Sequence, residues 1–229
     1  MAGLAAKFDP KASGIFKGLG KAKASQSANY VRPGNLILRL DKFKVDKARK
    51  GEILAIEMTV LKVLGGGVPG KDPHTVYEAV THLLPNFGNG QDMFLPNLKG
   101  FLENILDVPE NELQDDEGLE QMCLQISNED PANGPVQPMR GILIHLQATD
   151  ITTKAGRPFT RIDYQREVPA AEALTTLDPA VVAWAYPDHG LQRRAVYETT
   201  MAEALAAGKT PAEASALATA AKDAFVPTA

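Results

Sequence analysis

Leu36, Leu38 and Leu40 recur at every second position, the period of a strand with one face buried, and after Asp41 the apolar positions change parity to Phe43 and Val45. A two-residue period cannot change parity within one flat strand without turning its buried side chains to the wrong face. The change therefore predicts a bulge at Asp41, or a strand bent strongly enough to serve two sheets. Ile53 to Leu64 follows across Lys47-Ala48-Arg49-Lys50-Gly51, apolar on both faces through its middle, and is expected to be a buried partner strand. A second pair repeats the design. Ile142, Ile144, Leu146 and Ala148 fall on one face, Leu143, His145 and Gln147 on the other, and Lys154-Ala155-Gly156-Arg157 turns the chain into Phe159 to Arg166. There Ile162 and Tyr164 align with a core, which leaves Phe159, Arg161 and Asp163 on the opposite face. Cationic turns on apolar strands suit an anionic polymer.

The charge is unevenly placed. Of 24 basic residues, half precede residue 51: Lys7, Lys11, Lys17, Lys21, Lys23, Arg32, Arg39, Lys42, Lys44, Lys47, Arg49 and Lys50. Residues 101–130 hold ten acids and no base, so a net charge of -4 conceals a dipole. The single cysteine, Cys123, excludes an internal disulfide, and the four histidines show no ligand spacing, so no metal is expected. With no Gly-x-Ser-x-Gly elbow and no Cys/His nucleophile pattern, neither an enzyme nor a cofactor site is expected. The start Met1-Ala-Gly-Leu lacks the layout of a secretory signal and no apolar run spans a bilayer, so the expected location is the cytoplasm, that of the host if the protein is phage-encoded, with no membrane partner and no small-molecule substrate.

Residues 1–29 read as a basic arm. Phe8, Ala12, Ile15 and Leu19 share one helical side, but Gly14, Gly18 and Gly20 weaken a helix there, so the arm is expected to order only against a partner or the body of the protein. Gly65, Gly70 and Lys71 have the spacing of a phosphate-cradling loop, yet Asp72 and Pro73 stand where a magnesium ligand and a helix start are required; a hairpin connection is the expectation. Val76 to Leu84 alternates like a strand. Leu98, Phe101, Leu102, Ile105 and Leu106 then follow a helical period that Pro109 ends, and Leu119, Met122 and Ile126 mark a second, acidic helix. Beyond Val168 the chain is alanine-rich, with helix starts at Asp178-Pro179 and Thr210-Pro211.

The predicted class is mainly β with helical additions. Its order of elements fits a five-stranded OB-like barrel over 30–168, with a helical insertion at about 97–127 between strands 3 and 4 and an α-helical appendage over 169–229 that packs on the body or on another subunit, a route to self-association. The segments Tyr30-Val-Arg-Pro-Gly34, Arg49-Lys-Gly-Glu-Ile-Leu-Ala-Ile-Glu57, Asn97-Leu-Lys-Gly-Phe-Leu102 and Thr152-Thr-Lys-Ala-Gly-Arg-Pro-Phe-Thr160 resemble a group of small tailed-bacteriophage proteins regarded as OB-fold, single-stranded DNA-binding proteins. The resemblance covers residues 30–168. The closing Ala224-Phe-Val-Pro-Thr-Ala229 departs from better-known single-strand binders, which carry an acidic tail ending in an aromatic residue, so recruitment of replication enzymes through a tail is not expected.

Two functions follow. In the first, a phage protein of DNA replication or recombination binds single-stranded DNA without sequence preference. Arg39, Lys42, Lys44, Lys47, Arg49, Lys50, Lys154, Arg157 and Arg161 would meet the backbone, and Tyr30, Phe43 and Phe159 would stack on bases. Phe43 is either core or surface according to how the first strand bulges, and Tyr30 either stacks or anchors a turn. In the second, the barrel is a virion structural or assembly adaptor protein whose arm and helices clasp neighbouring subunits.

Overall fold

In a computed structural model, the described residues are 30–86, 91–127, 137–152, 156 and 158–227. The expected basic arm, 1–29, lies outside them. The described chain forms five strands, β1 Gly34–Ala48, β2 Gly51–Gly65, β3 Ala79–Pro85, β4 Leu143–Thr152 and β5 Pro158–Glu167, and six helices. Helices α1 Gln91–Leu106 and α2 Asp116–Ile126 separate β3 from β4; α3 Ala170–Thr176, α4 Pro179–Ala185, α5 Gly190–Ala206 and α6 Pro211–Ala224 follow β5.

All strand pairs are antiparallel, in the order β3-β2-β1-β4-β5. The parity change is a bulge: Leu40 pairs with Met58 and Lys42 with Glu57, leaving Asp41 without an opposite residue. Leu36, Leu38 and Leu40 before the bulge and Phe43 after it thereby bury on the same face, with Leu54, Ile56, Met58, Ile144, Leu146 and Tyr164. Phe101, Leu102 and Ile105 of α1 close this core, and the Phe101 ring stacks on Phe43 at 5.3 Å and meets Tyr164 edge-on at 5.2 Å.

The opposite face holds Ile37, Leu61 and Leu143, and it is covered by Val168, Ala173, Leu177, Val181, Val182 and Ala185 from β5's end and helices α3 and α4. Of the two packings left open for the C-terminal helices, this one lies on the body of the protein. Small alanines let the short helices approach the sheet closely. Asp178 caps α4 by accepting from the Ala180 N–H at 2.7 Å, and Thr210 and Glu213 form the capping box of α6.

Three expectations are corrected. The helix expected from Asn97 starts at Gln91 and runs through Pro96, which removes one intrahelical hydrogen bond. The strand expected from Val76 starts at Ala79, because Tyr77 takes a left-handed φ of 73° that no strand tolerates, although its N–H still reaches the Val60 carbonyl. The sheet, finally, is not closed into a barrel: no ladder joins β3 to β5, and the outer edge of β3 instead takes a parallel bridge between Thr81 and Tyr30. The edge strands still touch, because the Tyr164 hydroxyl lies 2.7 Å from His82 Nδ1, so the sheet curls without its last ladder.

Candidate nucleic-acid interface

The seam between β3 and β5 is where the fold leaves backbone unpaired and apolar rings exposed. Tyr30, held by its bridge to Thr81, is 59% exposed; Phe159, at the second position of β5, is 41% exposed. Both line one depression of about 370 Å³, whose walls include Val31, Leu84, Asn97 and Ile162. Strand alternation explains Phe159, since Ile162 and Tyr164 occupy the inward parity of β5. Asn97 and Ile162 also line a neighbouring, more polar depression of about 520 Å³, which runs between α1 and β5 past Arg161, Gln147 and Gln165. The two depressions adjoin at Asn97 and Ile162, which line both, and are together called the groove.

In the wall of the depression His82 is half-buried, and Tyr164 beside it is buried. Burial pushes the imidazole down to about 4 and the phenol well above its ordinary range, so both are neutral near pH 7 and their hydrogen bond carries no net charge. At the rim, Thr160 donates to Asp150 at 2.9 Å, and Asp150 pairs with Lys71 from the β2–β3 connection. The bond from Lys71, above all, holds the Asp150 carboxyl below the usual carboxylate range. The lysine of the rejected phosphate loop is thus delivered beside the groove, on a loop followed by no helix. Asn97, Gln147 and Gln165 are groove residues that the sequence pattern did not nominate; single amides on a helix and two strands carry no periodic signal.

The cations of β1 sit differently. The Arg39 guanidinium contacts Asp41 at 2.7 and 2.8 Å, donates to the Ala185 carbonyl at 2.6 Å and lies 5.3 Å from the centre of the Trp184 ring; its side chain is 15% exposed. The half-buried Asp41 carboxylate at the bulge, which also accepts from the Thr59 hydroxyl at 2.5 Å, gives Arg39 an internal partner in place of an open phosphate contact. Lys44 bonds Glu57 at 2.7 Å and Asp46 at 3.2 Å, and the Glu57 bond, above all, raises its pKa. Lys42 is more open, 3.7 Å from Glu57. Phe43 is 1% exposed and cannot stack on a base, because the bulge rotates it into the core. Arg161, on β5, pairs with Asp163 at 2.8 Å but remains exposed.

Arg49 and Lys50 form the exposed two-residue turn between β1 and β2, with no ionic partner among the described residues, and Lys47 lies in β1 opposite Glu52. Lys154 and Arg157 lie outside the described residues. β4 pairs with the Gly34 end of β1 and runs on past it to Thr152, whereas the Arg49-Lys50 turn follows Ala48 at the other end. Fifteen residues of β1 separate those ends, roughly 45 Å of strand contour.

Among the described residues no three His, Cys, Asp or Glu side chains converge as a metal site, and no helix is long and apolar enough to cross a membrane. His74 accepts the Arg32 N–H at 2.8 Å and faces Glu78, and His145 bonds Asn35, so both serve the scaffold. Compared with protein-family models and with curated proteins, the sequence finds no match in either.

Proposed function

We propose that this chain binds single-stranded DNA without strong sequence preference, as a bacteriophage protein of DNA replication or recombination, and that bases enter the groove at the β3–β5 seam. The observation that carries the reading is the presence of Tyr30 and Phe159, both solvent-exposed, on one groove with amide side chains alongside. Base stacking on an aromatic ring tolerates any sequence, because every base has a π-face. The strand order β3-β2-β1-β4-β5 supports the reading further: it is that of a five-stranded OB barrel opened at one seam, with His82 and Tyr164 standing in for the missing ladder. The phage assignment rests on the resemblance of residues 30–168.

Because Arg39 and Lys44 have internal partners, stacking has the larger share of the affinity and charge the smaller. Oligothymidine binding, followed by fluorescence anisotropy over a salt series, should therefore be measurable with a shallow slope, about -0.7 for each phosphate contacted. Affinity that is flat with salt, or undetectable at micromolar protein in low salt, removes this reading.

A second reading, a virion structural or assembly adaptor protein, has an observation of its own. Trp184 and Tyr77 are each about half exposed and pack edge-on at 4.7 Å, an aromatic pair suited to a protein partner.

A further inference from the structure

Between α1, α2 and the end of the β1–β2 hairpin lies a notch of about 130 Å³ with apolar walls from Val45, Leu54, Phe94, Leu98, Cys123 and Leu124. Leu95 on the same helix is largely exposed, and Leu124 is partly so. Glu120 lines the notch, and elsewhere on α1, α2 and their connection Glu103, Asp107, Glu110, Glu112 and Glu117 are exposed; none of these acids has a cationic partner among the described residues, and Lys99 is the one base on those elements. An apolar notch with an acid in its wall, on helices and a connection that carry these six exposed acids against one base, fits a segment that is both apolar on one side and basic.

The chain carries such a segment. Residues 1–29 hold Lys7, Lys11, Lys17, Lys21 and Lys23 against a single acid, Asp9, with Phe8, Ala12, Ile15 and Leu19 on one side. It joins the described chain at Tyr30, bridged to Thr81 of β3; three residues further along β3, Leu84 pairs with Leu54 in the wall of the notch. That is roughly 10 Å at the rise of a strand, and the residues between Leu19 and Tyr30 span up to about 36 Å when extended. We propose that residues 1–29 dock on the acidic helical cap of their own chain, with Phe8, Ile15 and Leu19 covering the notch and the lysines meeting the carboxylates of α1 and α2. Attachment beside the site supplies an effective concentration of order millimolar, so weak contacts suffice. The proposal is independent of what the seam groove binds.

Cys123, the only cysteine, lines the notch and reports on its cover. In the full chain at low salt, alkylation of Cys123 by the uncharged reagent N-ethylmaleimide is expected to be slow. A variant combining Lys7→Glu, Lys11→Glu, Lys17→Glu, Lys21→Glu and Lys23→Glu, with an unchanged circular dichroism spectrum, should react about tenfold faster, as for a site otherwise closed nine-tenths of the time. Carbodiimide treatment of the wild-type chain should join arm lysines to Glu117 or Glu120 in the monomer band. Equal alkylation rates overturn the proposal, as does an absence of such links. Links confined to a dimer band overturn it in favour of a second copy as the occupant.

Discussion

The middle of β1 and the start of β5 carry similar sequence, a phenylalanine set among cations, and they meet opposite fates. In β1 the bulge at Asp41 turns Phe43 onto Phe101 in the core and supplies acids to its neighbours: Asp41 to Arg39, Glu57 and Asp46 to Lys44. In β5 no bulge lies between Phe159 and Tyr164, so alternation buries Ile162 and Tyr164 and leaves Phe159 at an unpaired edge beside Tyr30. A run of lysines and aromatics is thus a poor guide to a binding surface until its partners are known. What remains free is a better one.

The largest expected effect tests this difference directly. Phe43→Ala should cost about 3–5 kcal/mol in urea denaturation, as for any buried phenylalanine, and Phe159→Ala less than about 1. Equal costs would put Phe159 in the core and dissolve the contrast.

The floor of the groove is tested through pH. His82 takes up a proton near 6.5 when exposed but near 4 in the fold, so between those values the unfolded chain holds more protons and stability falls as pH falls. The loss should be complete near pH 4 and reach about 3 kcal/mol. An imidazole that titrates near 6.5 by NMR in the folded protein would mean that the seam is open to water.

The next effect concerns binding. Phe159→Ala and Tyr30→Ala should each weaken oligothymidine binding by about 1–3 kcal/mol and leave the salt slope unchanged, since a stacked base involves no counterion. A loss confined to one ring would shrink the site to one side of the seam. Smallest of all, Lys44→Ala should shift affinity by less than about 0.5 kcal/mol, because Glu57 already neutralises the amine. Arg49→Ala should lower the slope by about 0.7 only if that exposed turn reaches a phosphate. A steeper effect at Lys44 than at Arg49 would return the β1 strip to the interface.

Local features were legible where the signal is local. The parity change between Leu40 and Phe43 announced a bulge or a sharp bend, of which the fold takes the bulge; the helical period of Leu98 to Leu106 announced α1, and Thr210 with Glu213 announced the start of α6. Each depends on residues a few positions apart. The open seam was not legible, since it turns on Tyr30 occupying the edge of β3 that would otherwise pair.

The sequence by itself determined the order of the five strands and the helical insertion (though not where α1 and β3 begin), which strand faces are apolar, and that charge is segregated between the first 50 residues and 101–130, because periodicity and composition are properties of neighbouring residues. Only the tertiary structure decided which cations remain available and which aromatics share a groove. Arg39 is engaged by a carbonyl 146 residues away, and Tyr30 and Phe159 line one depression only because the two edge strands curl together. Such partners are chosen by packing across the sheet, where sequence separation carries no information about distance.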